Sequence, residues 1–116
     1  TLKKNGPRYF ARNIELIIGL AKSMNIQPIL TTWPSTKEYS DYLSTSHYRA
    51  AVAEHNQIMS DAAQKNDVLL LDQITGMPTG REHWADNRHV TALGADRKAQ
   101  ITSRQLSPVV CPILTR

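Results

Sequence analysis

Three stretches of the chain repeat their apolar residues at the three- and four-residue spacing of one buried helix face. The first covers about residues 9–25, the second covers about 46–65, and the third begins near Thr91 or Ala92 and ends at about Leu106. The second stretch has the most regular apolar stripe. Its members are Tyr48, Ala51, Val52, His55, Ile58, Met59 and Ala62. The pattern predicts three helices.

Two short apolar runs between these helices are typical of strands. The first run, residues 27–32, is partly β-branched and carries Pro28 near its start, where the missing N–H of proline is tolerated. The second run, residues 68–72, is almost continuously apolar, as in parallel strands that are buried on both faces. The order helix, strand, helix, strand, loop, helix predicts an α/β fold with parallel strands and right-handed crossovers.

The two ends of the chain do not fit this alternation. Residues 1–8 predict an N-terminal loop, because Asn-Gly and Gly-Pro pairs form turns and no apolar segment follows the basic residues as in a signal peptide. Residues 107–116 form an apolar tail with two prolines, which leaves three interpretations open: an added edge strand, an interface or a non-native extension. The α/β domain is therefore assigned to residues 9–106.

Charge, hydropathy and cysteine content narrow the function classes. Residues 1–33 carry five basic groups and one acidic group, residues 34–96 carry five and nine, and residues 97–116 carry four and none. The sequence has no RNA- or DNA-binding signature, which argues against nucleic-acid binding. No apolar run reaches the ~20 residues of a transmembrane helix. The single cysteine, Cys111, excludes an intrachain disulfide framework and a multi-cysteine zinc site.

The segment from Trp84 to Gly94 is the most informative for chemistry, because it follows a buried strand and a long loop and precedes a helix. Catalytic groups of parallel α/β folds gather outside the carboxyl ends of the strands. Asp86 and His89 are three residues apart, so a tight turn would bring the carboxylate to the imidazole and leave Nε2 as a general base. The Asp-x-x-His spacing is also common in helix caps and polar surfaces.

Other polar and aromatic residues have competing interpretations. His83, Asp86 and His89 are spaced by threes, but they fall in a predicted loop without further ligands, so no metal is expected. Asn87 and Arg88 are interpreted as solvent-facing residues or anion contacts. Packing is the commoner role of aromatic residues, and pocket walls near the strand ends are the alternative for four of them. These are Trp33, Tyr39, Tyr42 and Trp84.

The block Asp86-x-x-His89-Val-Thr-x-x-Gly94, followed by a helix, resembles the last conserved block of the SGNH/GDSL hydrolases, a superfamily of serine esterases and lipases. Earlier segments resemble that family in order: the helix that contains Asn13, then Ile29-Leu30-Thr31-Thr32-Trp33-Pro34, then Asn56 with its helix, then the run at 68–72. The resemblance covers about residues 9–106 and implies a flavodoxin-like, three-layer α/β/α fold, of which this chain holds only the last strands and helices.

The resemblance also implies an activity, the hydrolysis of carboxylic esters without a cofactor. His89 would be the general base and Asp86 its orienting partner, and Trp33, Pro34 and Trp84 would contact a small-molecule, lipid or carbohydrate ester. The nucleophile block Gly-Asp-Ser and the oxyanion block Gly-x-Asn-Asp of the family do not occur in the sequence. Ser35, Ser44 and Ser46 lack the flanking glycines of a Gly-x-Ser-x-Gly elbow, and Ser46 is better interpreted as a helix N-cap.

Two parallel strands make a poor sheet, because one face and one edge stay open. We therefore expect the chain to be one part of a larger assembly, completed by an N-terminal half, a second chain or a copy of itself, and to be inactive alone. A secreted or periplasmic location would require a signal peptide ahead of residue 1. The alternative function is a non-catalytic α/β interaction module that keeps the scaffold.

Overall fold

A computed structural model describes residues 6–114, without the side chains of Leu43, Ile113 and Leu114. Residues 1–5 of the expected N-terminal loop lie outside the described residues, and the chain becomes helical at Arg8. Short 3₁₀ turns at Tyr42–Ser44 and Arg81–His83 interrupt the loops. The main elements are α1 (Arg8–Ser23), β1 (Ile29–Thr31), α2 (Ser46–Asn66), β2 (Leu69–Leu71) and α3 (Ala92–Leu114).

The α/β fold class expected from the sequence is confirmed. β1 and β2 pair as a parallel two-stranded sheet, and α2 connects them. Each strand has three residues, which is shorter than the apolar runs at 27–32 and 68–72 that predicted them.

The first two helices end in the same way, at a residue in the left-handed conformation. Asn25 has φ 58° and Asp67 has φ 50°, a conformation that Asn and Asp tolerate better than other side chains do. The next residues return a backbone N–H to the helix, Ile26 to Ala21 O and Val68 to Ala63 O, both at 2.9 Å. This bond satisfies a carbonyl of the last helical turn and directs the chain out of the helix toward the following strand.

The contacts divide the described chain into two compact units. Unit 1 consists of residues 6–32 and Thr45–Leu70, and unit 2 consists of Trp33–Ser44 and residues 71–114. In unit 1, α1 packs against α2, and α2 contacts β1. The buried core of unit 1 consists of Ile18, Leu30, Ala62, Ala63 and Val68.

The side of α1 that faces away from the core of unit 1 is both apolar and exposed. Ile18 is fully buried, but Leu16, Ile17, Leu20 and Met24 each keep 59–63% of their surface exposed. We call these four residues, of which Met24 is the C-cap, the outer face of α1. A helix that is apolar on most of its circumference is typical of the interior of a protein. Apolar surface that stays in contact with water forgoes about 25 cal/mol of stabilisation per Å², so this face favours burial against a further element.

Unit 2 has its own core, in which Trp84 is central. Trp84 is 1% exposed and packs with Met77 and Ile101, and the partly buried Tyr39 and Val90 lie against this cluster. The tail is helical to Leu114, because α3 continues through Pro108 and Pro112. The edge-strand interpretation of the tail is therefore wrong. Within the described residues no helix is long and apolar enough to cross a membrane.

Candidate active site

A short loop in unit 2 carries Asp86 and His89. Trp84 and Val90 pair as an antiparallel bridge that closes the loop. Inside it the N–H of Ala85 donates to His89 O at 2.8 Å. Trp84 is almost fully buried, so the loop is attached to the core of unit 2 at its base, while His89 lies at the surface.

The carboxylate of Asp86 accepts three hydrogen bonds within this loop. Oδ1 accepts from the backbone N–H groups of Arg88 and His89, each at 2.8 Å. Oδ2 lies 2.6 Å from Nδ1 of His89. The hydrogen bond from the His89 ring, followed by those of the two backbone N–H groups, holds the pKa of Asp86 well below its usual range. Asp86 is therefore ionised at neutral pH.

The ionised carboxylate selects the tautomer of His89. A carboxylate can only accept, so Nδ1 of His89 carries the proton and Nε2 of the neutral ring has a free lone pair. The side chain of His89 is 63% exposed and that of Asp86 is 40% exposed, so the ring is accessible from solvent. The pair can accept a proton at Nε2 and stabilise the imidazolium that results.

Contacts of Thr91 and Gly94 fix the connection between this loop and α3. The Thr91 hydroxyl donates to Glu82 O at 2.7 Å and accepts from the N–H of Gly94 at 3.2 Å, which is an N-cap contact. The N–H of Thr91 donates to His83 O at 3.1 Å. A Cβ built on Gly94 would lie 2.0 Å from His83 O, so only glycine lets the first turn of α3 approach this carbonyl.

The sequence leaves two interpretations of Asn87, a solvent-facing residue or an anion contact. The solvent-facing interpretation is wrong. The residue is 2% exposed. Its side chain bonds to the backbone of Tyr39 and to the carboxylate of Asp41, which lie 48 and 46 residues earlier. No local pattern in the sequence distinguishes a buried loop asparagine of this kind from an exposed one.

The structure gives the three proposed substrate contacts different environments. Trp33 is 60% exposed, whereas Pro34 is buried. Trp84 lies in the core, donates from Nε1 to Pro78 O at 2.7 Å and accepts the Tyr39 hydroxyl at its carbonyl. Trp84 therefore packs in the core of unit 2, and among the three Trp33 exposes a large surface.

The remaining histidines and serines have structural surroundings. His55 stacks on Phe10 with ring centroids 4.3 Å apart, and Nδ1 of His83 lies 3.2 Å from Glu82 Oε1. No group of three or more potential ligands within the described residues could hold a metal ion. Ser46 is not the N-cap of α2, because Thr45 occupies that position and accepts the N–H of Tyr48 at 3.4 Å.

An open pocket of about 370 Å³ lies beside α3, and its walls include Asp72, Gly76, Arg97 and Arg104. Asp72 at the end of β2 accepts the N–H groups of Ile74 and Thr75 at 2.9 and 3.2 Å, so its carboxylate shapes the turn that follows the strand. Neither Asp86 nor His89 lines this pocket.

Comparison with known proteins identifies a structural neighbour. The sequence matches no family model and no curated protein. Among solved structures, the crystal structure of a GDSL-like lipase from Bacteroides thetaiotaomicron is similar, with a TM-score of 0.70 and 20% sequence identity. The similarity covers 90% of this chain and 54% of that chain, so the chain spans about half the length of this neighbour. At this identity the likeness shows a GDSL-like fold.

Proposed function

We propose that this chain carries the general base of a serine ester hydrolase of the SGNH/GDSL type. The observation that carries the proposal is the 2.6 Å contact between Asp86 Oδ2 and His89 Nδ1, on a fold that resembles that of a GDSL-like lipase. The carboxylate is held by two further backbone bonds, so the pair is oriented before any substrate arrives. The proposed substrates are carboxylic esters of small alcohols, lipids or carbohydrates.

In the proposed reaction His89 first accepts a proton and then donates it. Nε2 accepts the proton of a serine hydroxyl as its oxygen attacks the ester carbonyl, and it then returns this proton to the leaving alcohol. Water hydrolyses the acyl-serine with the same base. Asp86 keeps the proton of the ring on Nδ1 and stabilises the imidazolium, which forms in both halves of the reaction.

The nucleophile and the oxyanion donors are proposed to come from polypeptide outside these 116 residues. The sequence has neither a Gly-Asp-Ser block nor a Gly-x-Asn-Asp block. The outer face of α1 supports a further polypeptide partner, since four large apolar side chains there are at least 59% exposed. The partner would be an N-terminal half, a second chain or a copy of this chain that supplies the serine in trans.

Two measurements test the proposal. The 116-residue chain is expected to be silent toward p-nitrophenyl acetate and toward a fluorophosphonate probe of reactive serines. Serine-dependent turnover by the isolated chain would contradict the division of the site. In the full-length protein or complex, His89→Ala is expected to lower kcat/KM by about 10³-fold or more.

His47→Ala is the matched control for the base, because His47 is an exposed histidine of α2 in unit 1. It is expected to retain full activity. A loss of less than tenfold for His89→Ala, or equal losses for both variants, would exclude His89 as the base.

A further inference from the structure

We propose that Asn87 is a positioning residue. Its side-chain hydrogen bonds to the segment at residues 36–41, which we call the Asn87 clamp, hold the turn at residues 86–89 in its working geometry. This inference rests on the proposed function, because it assigns a second layer of support to the same base. It concerns a residue that touches neither the imidazole nor the carboxylate of the pair.

The side chain of Asn87 makes three hydrogen bonds, all to residues 39 and 41. Oδ1 accepts the backbone N–H of Tyr39 at 3.1 Å, and Nδ2 donates to the backbone carbonyl of Tyr39 at 2.6 Å. Nδ2 also donates to Oδ1 of Asp41 at 2.7 Å. The amide therefore pairs with both backbone groups of one residue, which requires a donor and an acceptor on the same side chain.

The link from this clamp to the catalytic pair runs through one peptide group. The carbonyl of Asn87 accepts the N–H of Thr36 at 3.1 Å. The N–H of the same peptide group belongs to Arg88, and it donates to Oδ1 of Asp86 at 2.8 Å. One rigid, planar unit thus bonds to segment 36–41 on one side and to the Asp86 carboxylate on the other.

Segment 36–41 is itself fixed to the rest of unit 2. The Thr36 hydroxyl donates to Thr79 O at 2.7 Å, and the Tyr39 hydroxyl donates to the carbonyl of the buried Trp84. The guanidinium of Arg81 lies 4.8 Å from the centre of the Tyr39 ring and donates to Glu38 O. The clamp therefore joins the turn to a supported segment, so it restricts the turn instead of moving with it.

Asparagine is the side chain that this position requires. Alanine would leave the N–H and carbonyl of Tyr39 without these partners in a partly buried site. Aspartate has nearly the same shape, but it cannot donate, and it would place a second carboxylate against Asp41 and the Tyr39 carbonyl. Both substitutions are expected to release the turn, and aspartate does so with little change in volume.

The experiment compares wild type, Asn87→Ala and Asn87→Asp in the full-length protein or complex, with two controls. Lys37→Ala changes an exposed residue of the same segment. Ile18→Val weakens the core of unit 1 and serves as a stability control, because it lies outside the clamp. The readouts are the ring nitrogen shifts of His89 by NMR, which report its tautomer, and the kcat and KM of ester hydrolysis.

Wild type and both controls are expected to keep the proton on Nδ1 of His89. The Asn87 variants are expected to populate both tautomers and to lose roughly 10- to 100-fold in kcat with little change in KM, as for a misoriented catalytic group. Where Asn87→Ala does not fold, Asn87→Asp gives the same readout in a side chain of similar size.

Two results distinguish failure of this inference from failure of the proposed function. Unchanged His89 tautomer and kcat in the Asn87 variants would overturn the clamp while leaving the pair as the base. A proton on Nε2 in the wild type, together with full activity of His89→Ala, would overturn the base itself. An equal loss of kcat in Ile18→Val would reduce the Asn87 effect to one of stability and would also overturn the clamp.

Discussion

The close approach of α3 to the turn at Arg81–His83 makes Gly94→Ala a strongly destabilising substitution. The new Cβ would lie 2.0 Å from His83 O and 2.8 Å from Cβ of Val90. Non-bonded heavy atoms reach contact near 3.5 Å, so backbone must move by more than about 1 Å. Overpacking of this kind costs about 1–3 kcal/mol. The shift also disturbs the bonds between Thr91 and His83, Glu82 and Gly94, of which a cap bond contributes about 1 kcal/mol.

One favourable effect works against this cost. Alanine in a helix is better than glycine by about 1 kcal/mol or less, because glycine loses more backbone entropy on folding. The sum for Gly94→Ala is therefore a net loss of about 1–3 kcal/mol in the free energy of unfolding. Gly19→Ala isolates the favourable effect, because a Cβ at Gly19 meets nothing within 4 Å in α1. It is expected to raise the free energy of unfolding by about 0.5–1 kcal/mol.

Urea denaturation followed by circular dichroism measures both variants under the same conditions. The expected result is a lower midpoint for Gly94→Ala and a higher one for Gly19→Ala, with the slope m unchanged in each. A Gly94→Ala protein at least as stable as wild type, alongside a normal Gly19→Ala, would refute the packing of α3 on the His83 carbonyl. A lower midpoint in both variants would refute the helix-propensity part of the reasoning.

Two other predictions address charge and the outer face of α1. Because its hydrogen bonds lower the pKa of Asp86 in the folded state, the stability that they contribute is present above the ordinary carboxyl range near pH 4 and is lost as the pH falls toward the folded-state pKa. The difference in free energy of unfolding between wild type and Asp86→Asn should therefore shrink on acidification, and a pH-independent difference would contradict this. Leu20→Glu is expected to change the stability of the isolated chain little, because Leu20 is 63% exposed, but to weaken association with the proposed partner; unchanged elution and light scattering of the complex would exclude this face from the interface.

The sequence patterns predicted the elements that local spacing determines. The apolar stripes located α1 and α2 to within about two residues, since one face of each helix enters the core of unit 1. The Asp-x-x-His spacing likewise predicted contact between Asp86 and His89, because three residues are enough for the turn to close.

Two features could not be predicted in this way. Prolines marked the end of the last helix, yet α3 continues to Leu114. The ring of proline fixes φ near −65°, which is a helical value, although the residue lacks the N–H that would bond to the carbonyl four residues earlier and its ring crowds that carbonyl. The burial of Asn87 could not be predicted for a different reason. Its partners lie 46–48 residues away, so its burial depends on tertiary contacts that no local pattern encodes.

The turn and the clamp differ in how much of the chain each requires. Asp86 and His89 meet across three residues, whereas the Asn87 bonds close a separation of 46–48 residues. Denatured chains retain fluctuating local structure of this kind, whereas long-range bonds are lost. We therefore expect Asp86 to keep part of its hydrogen bonding in the reference state against which folding is measured. In that case the acid dependence of stability is smaller than the folded-state pKa alone implies, and the shortfall reports residual structure in the unfolded chain.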